Sequence, residues 1–411
     1  MSSGAASHRN GILLLSSTAP RITMKFDDRP AFPRGFRCTS TNCGLKPDAK
    51  DLALFVSEKD AAAAAVFTKN HFPGAPVTLG RETIRAGTLR AIVANSKCSN
   101  VATGSVGIEN ARRMAAAAAK ELGSTADRIL VSSTGVIGVQ LPIEKIERGI
   151  VGMAAKLQSD PMVGAEGIMT TDTHPKALSA RVGAATITWV AKGSGMIEPN
   201  MATMLAYIFT DAEFDAVALD RMLRQAVHVS FNMLSVDTDT STSDTCAILA
   251  NGLAGRVDEN AFLETLTAGC IKMTETLARD GEGAKHLLRT TVRGAGTEED
   301  ARRVAKSLVN SPLIKTMVHG ADPNVGRLLM AVGKVFDVNV RPASTDAWIN
   351  GHAVVKGGER LDFDEAAVRA ALANEVVDLE VSLGLGNANA TAYGCDLTAG
   401  YIEENAAYYS S

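Results

Sequence analysis

Apolar and polar positions follow two rhythms along this chain. Short apolar runs closed by Gly, Pro, Asn or Ser read as strands, and longer runs with helical spacing read as helices. Residues 51–56 and 64–68 predict two strands on either side of an Ala-rich turn, and 90–94 predicts another that ends in Asn95-Ser96. Residues 109–122 predict a helix of high-propensity Ala, Arg, Met, Lys and Glu, with Gly123 where a left-handed stop belongs. A short strand at 129–133 runs into Thr134-Gly135, and Pro142 is placed to open a helix reaching about residue 157. Buried strands are expected at 185–191 and 203–210. The second half predicts helices at 214–228, 259–278, 298–310 and 364–374, with strands at 290–293, 377–383 and 391–395. This mixed order, with few strict strand–helix–strand units, points to an α+β fold of layered sheets and helices rather than a barrel or a dinucleotide-binding sheet. No linker-like stretch interrupts the pattern after residue 34, so it marks no domain boundary.

Composition narrows the functional classes. With 46% apolar and 21% charged residues, the 411-residue chain has the make-up of a soluble globular protein with a large core. A net charge of −3 without a Lys/Arg block argues against a nucleic-acid or anionic-membrane partner. No apolar run approaches the roughly 18 residues of a membrane span. Six cysteines without a C-x-x-C pair suit reduced thiols in a cytoplasmic protein, and the scattered histidines predict no metal site. Residues 1–33 differ, being rich in Ser, Arg and Pro, with no acid before Asp27. They read as a disordered extension, as sequence upstream of a start at Met24, or as a transit peptide.

Several polar, Gly-punctuated clusters break the periodic pattern. The central one is Lys192-Gly-Ser-Gly-Met-Ile-Glu-Pro-Asn-Met-Ala-Thr203, a turn between two predicted strands that ends in a threonine at a strand start. That threonine is either a plain strand residue or a nucleophile awaiting release of its own amino group. At Ser133-Thr134-Gly135, the Gly135 N–H and the Thr134 hydroxyl could serve an oxyanion, or the segment is simply a tight turn. Met169-Thr-Thr-Asp-Thr-His-Pro-Lys176 could orient a polar ligand, or form a turn ahead of its proline. Residues 235–245 carry a D-x-D spacing but lack the calcium-loop glycine and glutamate, so a polar or substrate-lining loop is expected there. Glycines flank Glu282 in Asp280-Gly-Glu-Gly283, which would leave its carboxylate accessible to an ammonium group; a helix cap is the plainer reading. In His319-Gly-Ala-Asp-Pro-Asn324 the Asn or the Asp is placed to cap a following helix. The glycine-rich segment 384–391 lacks the order and the following helix of a dinucleotide loop.

Taken together and in this order, the clusters resemble the ornithine acetyltransferase (glutamate N-acetyltransferase) family of arginine biosynthesis. Ser-Thr-Gly-Val-Ile-Gly, Met-Thr-Thr-Asp-Thr, the Lys192–Thr203 motif, Asp-Gly-Glu-Gly-Ala, Gly-Ala-Asp-Pro-Asn and Ala-Tyr-Gly-Cys-Asp-Leu-Thr carry the likeness, over residues 34–411. The resemblance implies self-cleavage between Ala202 and Thr203, giving an α chain of residues 34–202 and a β chain of 203–411 that share one core of N-terminal-nucleophile-like type. It implies an acetyl-enzyme on Thr203, formed from N2-acetylornithine and passed to glutamate by ping-pong kinetics, with the new α-amine as local base. By the same resemblance Thr134 and Gly135 form the oxyanion hole. Thr170, Lys192, Thr203, Glu282, Asn405 and Ser410 contact substrate, Lys192 meeting a carboxylate and Glu282 the δ-ammonium. The family works without a cofactor or metal, as paired α and β chains, two of each, and its bifunctional version also takes acetyl-CoA.

Two departures touch this expectation. Asn95-Ser-Lys-Cys-Ser-Asn100 stands where Asn-Ser-Gly-Asn-Ala-Asn is usual, and Lys285 replaces a threonine. Residues 237–244 also resemble the paralogue linked to clavulanic acid clusters. An N-terminal-nucleophile amidase or aminopeptidase is the competing enzyme class, in which water rather than glutamate takes the acyl group. A binding protein with an uncut loop is the non-enzymatic alternative.

Overall fold

The computed structural model describes residues 24–198 and 204–406. Its strands form two sheets. The first contains β1 (Phe36–Thr41), β2 (Leu52–Phe67), β3 (Thr88–Asn95), β4 (Ile129–Ser133), β5 (Lys176–Val182), β6 (Ala185–Lys192) and β7 (Leu205–Ala212). The short β8 (Leu234–Ser235) belongs to the second sheet, and β9 (Thr245–Gly255) returns to the first. The first sheet runs β4-β3-β2-β9-β7-β6-β5, and β1 pairs with the part of β2 that β9 leaves uncovered. The second adds β10 (Leu287–Ala295), β11 (Asp346–Ile349), β12 (His352–Lys356), β13 (Glu359–Arg360), β14 (Val376–Ser382) and β15 (Ala388–Cys395). Its order is β13-β12-β11-β14-β10-β15-β8.

Strands β6 and β7 are almost wholly buried because both their faces are covered. Ile187, Trp189, Ala206 and Ile208 face one cluster, while Val190, Leu205, Tyr207 and Phe209 face another. On the first side the helices Ala216–Val229 and Glu259–Arg279 pack against this sheet, and the second helix also meets β10 and β15. One continuous cluster therefore runs from Trp189 through Leu223, Phe262 and Leu266 to Val292 and Leu379 of the second sheet. Each such side chain taken out of water is worth about 2 kcal/mol, so this shared core ties the two sheets together. The expected α+β layering is present.

Several elements differ from the sequence pattern. The predicted turn between 56 and 64 is absent; β2 is one strand of 16 residues. Its register to β3 jumps from Val56↔Ala91 to Ala61↔Leu89, so the exposed Glu58-Lys-Asp60 triplet forms a bulge instead of a turn. The helix after Pro142 covers only Ile143–Ile150, because left-handed Gly152 (φ 81°) breaks the chain before a short 3-10 turn at Ala154–Lys156. Pro142 itself is the N-cap, not the first helical residue. Asn324 also stands at an N-cap, without a side-chain bond to the helix. The pattern missed β1, β5, β8, β9 and β11 to β13, and the helices Ala75–Thr83, Pro161–Ile168, Pro312–His319 and Ala399–Asn405. Residues 24–33, assigned by composition to the tail, lie against the first sheet. Phe32 meets Phe209 edge-on at 5.2 Å, and Thr188 Oγ1 donates to the Ala31 carbonyl at 2.5 Å.

Candidate active site

Lys192 closes β6 and lies across the antiparallel ladder from Leu205, which opens β7. The central motif therefore leaves and re-enters the sheet at one end of the β6–β7 pair. Burial lowers the pKa of the Lys192 ammonium, with Asp172 opposing that shift and Lys176 adding to it. Its Nζ donates to Thr170 Oγ1 at 3.0 Å. Beneath it, the buried Asp172 carboxylate accepts from Gly193 N (2.7 Å), Thr170 N (2.9 Å) and Lys176 Nζ (2.6 Å). Burial pushes the Asp172 carboxyl up, but Lys176 and Lys192 outweigh it and hold it down at about 2. Lys176, wholly buried, also pairs with Asp280, whose carboxylate accepts from Thr173 N at 3.1 Å. These buried charges fix the start of the motif to the loop that carries Thr170.

Asp280 ends the helix Glu259–Arg279, and the following turn interlocks with the motif. Ser194 Oγ donates to the Asp280 carbonyl (2.6 Å), and Glu282 N donates to the Ser194 carbonyl (3.2 Å). The flanking glycines do not leave Glu282 open, as the sequence suggested; the residue is 8% exposed. Its carboxylate accepts from Thr171 Oγ1 (2.8 Å) and from Asn405 Nδ2 (2.6 Å) on the C-terminal helix Ala399–Asn405. Thr398, which caps that helix, also donates to the Gly283 carbonyl at 2.7 Å.

The opposite wall begins at the end of β4. Thr134 N donates to the Asn95 carbonyl at 3.0 Å, and Gly135 takes a φ of 125° that favours glycine. A Cβ there would stand 2.2 Å from the Lys97 carbonyl carbon. Among the described residues, the Gly135 N–H donates to no backbone carbonyl. Lys97 is itself left-handed (φ 82°).

Thr134, Gly135, Thr170, Lys192, Glu282 and Asn405 line one pocket of about 90 Å³. Sequence reasoning did not single out Thr171, Gly195 and Met196 of its lining, although they lie within the motifs; Ser241–Ser243 fall in the loop expected to line substrate. Ala202, Thr203 and Ser410 lie outside the described residues. Asp237 of the D-x-D loop accepts from Met196 N (2.6 Å) and Ile197 N (2.8 Å), so this carboxylate holds the motif's backbone. A larger groove, about 580 Å³, has Leu79, Ala115 and Ala116 in its lining and none of these groups. His319, with His286, instead binds Asp396 outside the pocket lining, at 3.1 and 3.0 Å. The pocket thus offers a cation, an anion and neutral donors, an arrangement suited to a zwitterionic substrate beside a developing oxyanion.

A chain with this layered fold and a pocket built around the end of β6 matches one family along nearly its full length. The ArgJ family model covers residues 37–410, and the chain belongs to that family. It is 45% identical to arginine biosynthesis bifunctional protein ArgJ 2 of Clostridium acetobutylicum, over 92% of this chain and 97% of the relative. Glutamate N-acetyltransferase Oat2 of Streptomyces clavuligerus is 41% identical over 93% of this chain and 99% of its own. Among solved structures, the ornithine acetyltransferase of Mycobacterium tuberculosis in complex with ornithine shares 33% identity over 43% of this chain and 99% of that one, with a TM-score of 0.40. Among the described residues, no helix is long and apolar enough to cross a membrane.

Proposed function

We propose that this chain is a self-cleaving acetyltransferase that moves acetyl from N2-acetyl-L-ornithine to L-glutamate through Thr203. The observation that supports it best is the pairing of opposite charges in one pocket. Lys192 and Glu282 line it together with Thr134 and Gly135, and the segment leading to Thr203 begins in its wall. Lys192 takes a substrate carboxylate and Glu282, with Asn405, takes the δ-ammonium; Thr170 orients the Lys192 ammonium, and Ser410 completes the substrate contacts.

The chemistry runs in two stages. In the precursor, the Thr203 hydroxyl adds to the Ala202 carbonyl. The C–N bond breaks, the hydroxyl proton passes to the leaving nitrogen, and water hydrolyses the ester to an Ala202 carboxylate and a free Thr203 hydroxyl. The α chain then ends at Ala202 and the β chain begins at Thr203. In the mature enzyme the Thr203 α-amine, with an ordinary pKa near 8, takes the hydroxyl proton as Oγ attacks the N-acetyl carbonyl. Thr134 and Gly135 stabilise the oxyanion, ornithine leaves, and the glutamate amine accepts the acetyl group. No metal or cofactor is needed, and acetyl-CoA is a candidate second donor. Two α and two β chains in the cytoplasm complete the reading.

The test is Thr203→Ala. Wild type should run as two chains on a denaturing gel, and the variant as one 43.0 kDa chain without transfer activity. Cleavage of the variant at Ala202–Thr203 would overturn the nucleophile. Free acetate in place of N-acetylglutamate would instead make the enzyme an amidase. N-acetylglutamate made from acetyl-CoA and glutamate alone would establish the second donor.

A further inference from the structure

The helix Glu298–Val309 turns Glu299, Arg302, Arg303 and Lys306, spaced by one turn or less, into a groove of about 490 Å³. Asn232, Thr238, Thr240 and Glu198 close its other side, and among the described residues it shares no lining with the substrate pocket. Its cations are not matched by its acids. Lys306 Nζ donates to the Leu234 carbonyl at 2.8 Å and lies 3.5 Å from Glu198, whose carboxylate also accepts from Asn310 Nδ2 at 2.8 Å. Burial still lowers this lysine to about 8, with Glu198 opposing the shift and Arg302 adding to it. Arg302 gives one N–H to the His228 carbonyl at 2.6 Å, and the largely exposed Glu299 stands 3.9 Å away. Burial lowers the arginine too, against the pull of Glu299 and Glu298. Arg303 pairs with Asp337, and Asp237 of the facing loop is taken up by Met196 N and Ile197 N. Two largely buried cations are therefore under-compensated by the protein's own carboxylates, and an added anion would supply what they lack.

We infer that this groove is a second ligand site, for a small oxyanion of the phosphate or carboxylate class, gripped by Arg302 and Lys306. The guanidinium fork suits two oxygens of such a group, and the lysine one turn further on adds a point charge. The groove is also within the size range of small-molecule sites. It is linked to the substrate pocket by a single loop. Thr238 and Thr240 line the groove, and Ser241–Ser243, next in the chain, line the pocket. The same loop holds the central motif, since Glu198 N donates to the Asp239 carbonyl at 3.0 Å and Thr240 Oγ1 to the Glu198 carbonyl at 2.8 Å. An anion that draws Lys306 away from Glu198 acts on the point where loop, motif and helix meet, and so on the wall against which substrate sits.

Calorimetric titration of the whole protein with sulfate, standing for a phosphate group, and with citrate tests the site. Arg302→Gln should weaken binding about ten- to a hundredfold, the size of a lost hydrogen bond to a charged group. Lys192→Met, which removes the pocket's own cation, should leave it unchanged. Lys306 supplies a readout that needs no change in the groove. An anion beside it raises a pKa that stands at about 8, so binding near that pH should take up protons, and the heat should vary with the buffer's ionisation enthalpy. Measured in Lys192→Met, where the pocket lysine cannot supply the effect, this carries the test if Arg302→Gln does not fold. The tighter of the two probes assigns the ligand class. Saturating probe should also shift the KM for N-acetylornithine about fivefold in wild type and not in Arg302→Gln. No heat with either probe, or binding kept in Arg302→Gln and lost in Lys192→Met, overturns the site. A KM unmoved in wild type, or moved equally in Arg302→Gln, overturns its link to the pocket. The kinetic arm rests on the transferase reading above; the titrations do not.

Discussion

A Cβ on Gly195 would stand 2.2 Å from Oε2 of Glu282, so the motif's backbone and the acid lie closer than any side chain allows. Glu282 cannot simply swing away, because Thr171 and Asn405 hold its carboxylate at 2.8 and 2.6 Å. Gly195→Ala should therefore move the acid out of register with the substrate ammonium. The expected outcome is a KM for N-acetylornithine raised about tenfold, near 1.4 kcal/mol, with a smaller change in kcat. Steady-state kinetics on the cut enzyme decide it. An unchanged KM would mean that Glu282 does not face the substrate.

Lys176 is a structural prediction. It is fully buried between Asp172 and Asp280, so Lys176→Met would leave Asp172 with Lys192 alone and Asp280 without its buried lysine. Breaking a buried pair in this way costs about 3–5 kcal/mol, and the urea midpoint should fall accordingly with little change in slope. The acid limb should change too. In wild type, Asp172 is held near 2 against an ordinary 3.8, so its contribution is full above the ordinary value and is lost as pH falls through 2. In Lys176→Met that protection is weakened, and acid unfolding should begin at higher pH.

The pocket was largely legible in the sequence, and the scaffold beneath it was not. Thr134, Gly135, Lys192 and Glu282 sit in short motifs whose order is informative, and all four line the pocket. Lys176 follows a His-Pro pair and looks like an ordinary surface lysine; its burial depends on an aspartate more than a hundred residues away. Glu282 and Asn405 are likewise joined only by the fold. Glycines beside Glu282 suggested openness, yet the close approach belongs to Gly195, on another element. Secondary structure failed in a similar way: the stretch between 56 and 64 reads as an Ala-rich turn until pairing on both sides of β2 makes it a bulged strand. Charge pairs and strand partners are tertiary facts, and local pattern does not carry them.

Lys192 sets the expected alkaline behaviour. A lysine is charged below its pKa, and burial lowers this one, with Asp172 opposing and Lys176 reinforcing the shift. Carboxylate binding should therefore weaken as pH rises through a value below the ordinary 10.5. The pH profile of kcat/KM should rise with the Thr203 amine, near 8, and fall as Lys192 loses its proton. Lys192→Met should lower kcat/KM by about ten- to a hundredfold, the size of a lost hydrogen bond to a charged group. Lys192→Arg, charged at all accessible pH, should lose the alkaline limb even where its activity is reduced.

Gly135 separates binding from chemistry. Its φ of 125° suits glycine, and an added Cβ would meet the Lys97 carbonyl carbon at 2.2 Å, an immovable backbone neighbour. Gly135→Ala must push the loop after β4 away from residue 97 and carry the Gly135 N–H with it. In the proposed reading the substrate's charged ends sit on Lys192 and Glu282, and should bind as before. A displaced oxyanion donor costs about a hundred- to a thousandfold in kcat. The expected signature is a large fall in kcat at nearly constant KM, in both acetyl transfer to glutamate and hydrolysis to acetate. A rise in KM with kcat preserved would place Gly135 among the groups that hold substrate, and the oxyanion would need another donor.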